Sequence, residues 1–352
     1  MEATVETYPM TGGTGPSSYA RNSNLRASRE AAERLKGMIT TVIVENLDIS
    51  HISPTSNLYC IADLGCSTGP NTFFTVNTII EAIKRRSDQE NADEHLPDFL
   101  VFFNDHVSND FNTLFASLPA DGKYFAAGVP GSFHRRLFPK GSINFFNTSY
   151  ALHWLSKTPR ELSDLNSPVC NKGKITYADA RNEVVEAFAS QFAKDMDSFL
   201  VARAQELAPG GLLSILIPCR PDGMHPSKSP FGLLFESLES SFVDMVNEGR
   251  LNKEELDSFN IPVYSPSASE VRLLVQHNGC FSIARLEVRQ EHVHIISPQS
   301  VRAGFEGIFS KNFGNEIIDE VVRRYADKVE GCSFIRDEEG INCQLFILLK
   351  RN

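Results

Sequence analysis

The sequence is short of the features that mark several protein classes. It carries a single tryptophan in 352 residues, and 34 basic against 44 acidic side chains leave a formal charge of −10. With no cation excess and no long Lys/Arg run, nothing stands ready to neutralise a phosphate backbone, which excludes nucleic acid as the expected partner. No apolar stretch approaches the roughly 20 residues of a bilayer span, and residues 1–21 are polar and Gly-rich without a signal-peptide core. A cytoplasmic protein with no membrane partner is expected. The seven cysteines, at 60, 66, 170, 219, 280, 332 and 343, form no CxxC pair, so free thiols are expected in place of disulfides or zinc. Cys60 and Cys66 sit beside a very apolar segment and read as small buried hydrophobes.

What is present is an ordinary globular composition, 41% hydrophobic and 22% charged, enough for one large domain or a domain with an attached cap. Leu35, Met38, Ile39, Val42 and Ile43 recur at helical spacing in 28–47. The apolar run 58–64 enters a Gly-Cys-Ser-Thr-Gly-Pro-Asn turn and a helix over 72–84, a β-turn-α unit. A polar loop over 86–94 and a second strand over 99–103 follow. Strands are expected at 142–146 and 212–217 with a long helix at 180–207 between them, and this alternation implies a parallel sheet. After 217 the pattern turns helical, at 231–248 and 253–259, with a turn-rich 262–267. Late strands at 281–288 and 343–349 return to the sheet. The expected division is a core of 1–217 and 280–352, with a helical insertion at about 298–327, and a helical cap of 218–279. No internal repeat is present.

The first turn carries chemistry. Asp63 ends a buried strand, and Gly65 and Gly69 stand where the chain must bend sharply and a ligand can approach the backbone. An anion at this place suits a cationic amino-acid group and would repel a pyrophosphate, while the following helix start, with Asn71, offers donors to a carboxylate. The turn therefore fits the methionine end of S-adenosylmethionine better than a dinucleotide; a plain tight strand-to-helix turn is the alternative. Asp105 ends the second strand, where nucleotide-binding sheets place an acid for ribose hydroxyls. It falls 36 residues after Gly69. The alternative for it is a loop cap, and Asp110 is a second candidate further from the strand end.

These segments resemble those of the plant SABATH methyltransferases. The resemblance rests on MTGG at 10–13, SYARNS at 18–23, IADLGCSTGPN at 61–71 and FNDHVSNDFN at 103–112. It continues in GVPGSF at 128–133, SYALHWL at 149–155, RAQE at 203–206 and FNIPVY at 259–264. It implies a Rossmann-like class I methyltransferase sheet with helices on both faces and a mainly helical cap, acting in plant specialised metabolism as a homodimer. Donor contacts are implied for Tyr19, Ser23, Asp63, Cys66 and Asn71 at the methionine half, Asp105 at the ribose, and His106, Ser132 and Phe133 at the adenine. Phe133 offers a stacking face and Ser132 a short hydroxyl; a loop anchored in the core is the alternative for this pair.

The acceptor pocket is implied at Tyr19, Arg26, Tyr150, His153, Trp154, Phe235 and Tyr264, with His153 and Trp154 as the catalytic pair that orients the acceptor. Both can donate to a carboxylate while aromatic faces enclose its apolar body. Without the resemblance, YxxHW reads as core packing. The family pattern also implies a magnesium-type site at Asn171, Asp257, Phe259 and Asn260, for which a hydrogen-bond network at a helix end is the alternative. Arg26 stands where carboxyl-methylating relatives often carry Gln and can grip a carboxylate bidentately if it points inward. His134 replaces a common Tyr, and Phe235 a Trp of salicylate-type enzymes. A terpenoid, iridoid or alkaloid acid is therefore expected ahead of a simple benzenoid one. A xanthine ring nitrogen is the alternative acceptor, and a nicotinamide oxidoreductase or a donor-binding protein without transfer are the competing classes.

Overall fold

The protein is described by a computed structural model covering residues 8–23, 29–48, 58–89, 97–292, 296–330 and 341–352. Cys332 and Arg26 lie outside the described residues. The six described cysteines are free.

Seven strands form one sheet: β1 (Leu58–Leu64), β2 (Asp98–Asp105), β3 (Phe125–Pro130), β4 (Ile143–Ser149), β5 (Leu207–Cys219), β6 (Phe281–His292) and β7 (Ile341–Arg351). Their order is β3-β2-β1-β4-β5-β7-β6. The first five run parallel, and β7 is antiparallel to both neighbours. The centre of the sheet is covered on both faces, which is why β1 and β5 read as near-continuous apolar runs without alternation.

The helices are α1 (Tyr19–Asn22), α2 (Arg29–Asn46), α3 (Pro70–Gln89), α4 (Phe111–Ala116), α5 (Arg160–Ser163), α6 (Asn182–Glu206), α7 (Pro230–Asn247), α8 (Lys253–Ser258), α9 (Ala268–Asn278), α10 (Pro298–Phe313) and α11 (Ile318–Glu330). On one face, Leu35, Ile39, Val42 and Ile43 of α2 and Val76, Ile79, Ile80 and Ile83 of α3 pack with Ile61, Val101 and Phe145. On the other, Phe188, Phe192, Phe199 and Leu200 of α6 and Val271 and Val275 of α9 pack with Leu213, Ile215 and Ile347. A third core joins α7, α8, α10 and α11, around Leu238, Phe242, Phe259, Phe309 and Val321. The stretch 218–279 thus contains one helix, α9, that packs on the sheet, while the later α10 and α11 pack with α7.

The α3 helix runs through 86–89, which the sequence reading gave to a polar loop; the rest of that loop, 90–94, is outside the described residues. Nothing in KRRSDQ breaks a helix, Ser87 is buried, and Arg86 Nε donates to the carbonyl of Leu47 at 3.2 Å, tying this last turn to the end of α2.

Candidate active site

The carboxyl ends of β1 and β4 meet in an open cleft lined by Tyr19, Asp63, Gly65, Cys66, Ser67, Gly69, Asn71, Thr72, Thr75, Ser149 and Tyr150, with the end of β2 beside it. This is the place where open parallel sheets bind ligands. The turn after β1 needs its glycines: Gly65 has φ +77°, and a Cβ there would come within 2.2 Å of the Ala151 Cβ. Ser67 and Tyr150, with φ of 52° and 55°, are the two non-glycine residues with positive φ among the described residues, and both line the cleft. Such backbone is costly and is retained where surrounding structure forces it.

Asp63 and Asn147 are register partners on β1 and β4. The Asn147 amide donates to Asp63 Oδ1 at 2.6 Å, the Thr72 hydroxyl donates to Oδ2, and Ser214 Oγ donates to Asn147 Oδ1 at 2.7 Å. Burial pushes the Asp63 carboxyl up to about 6 against these two hydrogen bonds, which favour its charge. Asp105 is held differently: Ser67 N–H donates to Oδ2 and His106 N–H to Oδ1, each at 2.8 Å. Both carboxylate oxygens keep accepting capacity on their other sides, and burial raises this carboxyl too. Asp110, the competing acid, is the N-cap of α4; it accepts from Thr113 N–H at 2.9 Å and from Gly13 N–H at 2.8 Å. Its place is structural.

The N-terminal segment closes the cleft. Thr11 N–H donates to the Ala303 carbonyl at 2.9 Å, Tyr19 N–H donates to the Thr11 carbonyl at 2.8 Å, and Asn71 Nδ2 donates to Ser23 Oγ at 2.7 Å. Enclosure, with the Asp105 charge nearby, pushes the Tyr19 phenol up to about 12, so it is a neutral hydrogen-bonding group. Cys66 is buried, its thiol pushed well up and bonded to the Ser67 carbonyl at 3.4 Å, and it lines the cleft as a small apolar group. Gly131 N–H on the carbonyl of Asp105, at 2.8 Å, brings Ser132 and Phe133 to the β2 end, and the Phe133 ring lies 3.7 Å from the position of a Gly65 Cβ. Of the expected donor-side residues, Tyr19, Asp63, Cys66 and Asn71 line the cleft; Ser23, Asp105 and Phe133 reach its lining through Asn71, Ser67 and Gly65, and His106 and Ser132 adjoin Asp105 and Phe133 in the chain.

A cluster of packed aromatic rings follows in the chain just beyond Tyr150 of the cleft. The rings of His153 and Trp154 are 5.9 Å apart; His153 meets Phe231 edge-on at 5.9 Å, Phe231 meets Phe235 at 5.1 Å, and Phe305 lies 5.6 Å from Trp154 and 6.0 Å from Phe235. His153 is 5% exposed, and its Nδ1 is buried without a hydrogen-bond partner among the described residues. Burial drives this imidazole down to about 3, so it is neutral at any working pH. Phe231 and Phe305 carry no motif that the sequence reading could use; Phe305 comes from α10, distant in sequence.

Tyr264 belongs elsewhere. Its neighbour Val263 faces the cap and pairs with Trp154, so strand-like alternation turns Tyr264 into the sheet core. There its ring packs at a tilt against Tyr177 at 4.9 Å and Phe192 at 5.2 Å, and its hydroxyl donates to Glu270 at 2.8 Å. The structure does not bring its ring to His153 and Trp154.

Asn171, Asp257, Phe259 and Asn260 do converge, but as a closed network. The Asn171 amide donates to Asn260 Oδ1 at 2.7 Å, Gly173 N–H donates to Asp257 Oδ1 at 2.8 Å, Lys253 is ion-paired with Asp257 Oδ2, and Phe259 N–H caps α8 on the Leu256 carbonyl. A single carboxylate already engaged by an ammonium and a backbone N–H does not fit magnesium, which needs several free oxygen ligands. Among the described residues there is no cluster of three His, Cys, Asp or Glu side chains placed to hold a metal, and no helix is long and apolar enough to cross a membrane.

Comparison with known proteins identifies the family. The profile of the SAM dependent carboxyl methyltransferase family matches residues 5–352. The chain is 40% identical over 357 residues to loganic acid O-methyltransferase of Catharanthus roseus, covering 99% of this chain and 95% of that one. It is 37% identical over 354 residues to farnesoic acid carboxyl-O-methyltransferase of Arabidopsis thaliana, covering 98% and 99%. A solved structure of loganic acid methyltransferase with S-adenosylhomocysteine superposes with a TM-score of 0.91 over 98% of this chain and 99% of that chain, at 40% identity. A family profile that matches nearly the whole chain, with relatives at 37–40% identity over almost their full lengths, shows that the chain belongs to the S-adenosylmethionine-dependent carboxyl methyltransferases, the SABATH family.

Proposed function

We propose that the acid methylated here is an iridoid or another terpenoid acid, held with its carboxylate at His153 and Trp154 and its carbon skeleton among Phe231, Phe235 and Phe305. The observation that carries this reading is the buried, unpartnered Nδ1 of neutral His153 within an otherwise apolar aromatic enclosure. The similarity to enzymes named for loganic and farnesoic acids supports the choice of class.

An ionised carboxylate is nucleophilic enough without a general base, since it is deprotonated at neutral pH. Its oxygen lone pair attacks the sulfonium methyl carbon in line, the methyl C–S bond breaks with its electrons to sulfur, and the products are the methyl ester and S-adenosylhomocysteine. The protein aligns the two partners and excludes water. In this reading Asp63 faces the donor's amino group, Asp105 its ribose, and Phe133 with Ser132 and His106 its adenine. Tyr19 and Tyr150 lie where the two compartments join. Pairing as a homodimer and residence in the cytoplasm are further parts of the proposal, supported by the resemblance of the motifs to those of the family.

The test is transfer of labelled methyl from S-adenosylmethionine to loganic acid, farnesoic acid, benzoic acid and a xanthine, followed by mild base. Base-labile label on the iridoid or terpenoid acid is expected. Label confined to benzoic acid, or base-stable label on the xanthine, would overturn the proposed class.

A further inference from the structure

We propose that α6 is the positioning element for both compartments, through two separate buried clamps one above the other on the same helix. The proposal rests on the donor and acceptor assignments made above.

The lower clamp is Arg203 with Glu206, both with fully buried side chains. Arg203 Nε donates to Glu206 Oε2 at 2.7 Å, Nη1 to the Phe133 carbonyl at 2.5 Å and Nη2 to the Arg135 carbonyl at 2.9 Å. Glu206 Oε1 accepts from the N–H groups of Leu137 and Phe138, the latter at 2.9 Å. The guanidinium also lies over the rings of Phe146 and Phe199, at 5.1 and 5.3 Å, and Phe199 meets Phe133 edge-on at 6.0 Å. Thus one ion pair binds two carbonyls and two amides of the 133–138 loop and fixes the ring assigned to the adenine. A pair this buried is weak as a source of stability but precise as a geometric lock. Its planar fork is what lets one side chain serve both carbonyls.

The upper clamp is Asp195 with Gln191, near the middle of α6. Asp195 Oδ2 accepts from Ser156 N–H at 2.8 Å and Oδ1 from Ser156 Oγ at 2.6 Å, while Gln191 Nε2 donates to Oδ1 at 2.9 Å. Ser156 follows directly on His153, Trp154 and Leu155, so this carboxylate anchors the segment that carries the acceptor-binding pair. The two clamps share a helix, and the His134 ring of the 133–138 loop lies 3.4 Å from the Asp195 main-chain carbonyl, a contact that uses neither clamp's side chain. Neither touches the reacting atoms; each acts through the loop it holds.

Arg203→Lys keeps a positive charge opposite Glu206 but cannot span both loop carbonyls. The dissociation constant of S-adenosylhomocysteine is expected to rise about tenfold, the size of one lost charged hydrogen bond, with KM for loganic acid unchanged. Asp195→Asn places an amide N–H against a Ser156 donor. Here kcat/KM for loganic acid is expected to fall about tenfold while S-adenosylhomocysteine affinity stays within about twofold. Ser156→Ala, which removes one bond, should move the same parameter less. If Arg203→Lys fails to fold, Glu206→Gln supplies the donor-side reading. A merely structural role would move both parameters together or neither, and either pattern would overturn the proposal. Asp105→Asn serves as control: unchanged S-adenosylhomocysteine affinity there would sink the donor assignment itself, whereas weakened affinity there with none in Arg203→Lys would sink the clamp alone.

Discussion

The two compartments are built by opposite means. The crevice proposed for the donor is made of strand ends, a glycine turn and backbone N–H groups, with its two carboxylates fixed by Thr72, Asn147, Ser67 and His106. The aromatic cluster proposed for the acceptor is made of side chains alone, gathered from the segment after β4 and from α7 and α10, and its one polar group of note is a neutral histidine. Backbone geometry cannot be changed by one substitution without cost to the fold, whereas aromatic side chains can be exchanged one at a time. On the proposed assignment, the donor half is fixed by the sheet while the acceptor half is open to retuning.

The sharpest way to break that division is to cross it. Asp105→Ala is expected to weaken S-adenosylhomocysteine binding by about three orders of magnitude, as two charge-assisted hydrogen bonds to the ribose are lost, and also to lower the melting temperature, because the Ser67 and His106 N–H groups lose their acceptor; calorimetric titration on the folded protein reads the affinity. Trp154→Ala should lower kcat/KM for the acid about a hundredfold, the effect of removing a buried aromatic anchor, and leave donor affinity nearly unchanged in the same titration. Equal losses on both sides in either variant would mean that the compartments are not separable.

A pH titration sharpens the contrast between the two charged states. The folded Asp63 carboxyl, raised to about 6, holds its proton more tightly than in the unfolded chain. Its ionisation therefore opposes folding increasingly as pH rises from about 4 to about 6, and that contribution is absent below this window. The donor's cationic amino group requires the ionised form, so affinity for S-adenosylhomocysteine should fall about tenfold per pH unit below 6, and Asp63→Asn should flatten the curve. On the acceptor side His153, driven to about 3 by burial, should contribute no inflection to the acid's KM between pH 5 and 9, in contrast with an ordinary histidine near 6.5.

The smallest effect belongs to Tyr264. Tyr264→Phe is expected to cost about 1 kcal/mol of stability from the lost bond to Glu270, measured by denaturant unfolding, while KM for the acid stays unchanged.

The same contrast explains what could be read from the sequence. The strand end and the turn after it are contiguous, so the strand-turn-helix unit of IADLGCSTGPN and the place of Asp105 at the end of the next strand are legible in the sequence. The long amphipathic helices and most strands were also legible, because their apolar residues follow a 3.6-residue repeat or form short buried runs. The β3 strand was not: it is an edge strand with Phe125 64% exposed, a glycine and a terminal proline, and it lacks both alternation and a buried run. The α9 helix hid behind a turn-rich stretch, yet Ser267 and Glu270 form a capping box and Gly279 closes the helix at φ 70°, a signal available in the sequence. Phe231 and Phe305 had no such signal, since an aromatic enclosure leaves no spacing rule, and Tyr264 was misplaced because the motif names the residue without the side of the chain on which it lies.

The most direct test of the account is a crystal structure with S-adenosylhomocysteine and loganic acid bound together. The account predicts the ribose hydroxyls on the Asp105 carboxylate and the acid's carboxylate at His153 and Trp154, with its skeleton among Phe231, Phe235 and Phe305. An acid bound with its carboxylate away from His153, or a ribose away from Asp105, would contradict it.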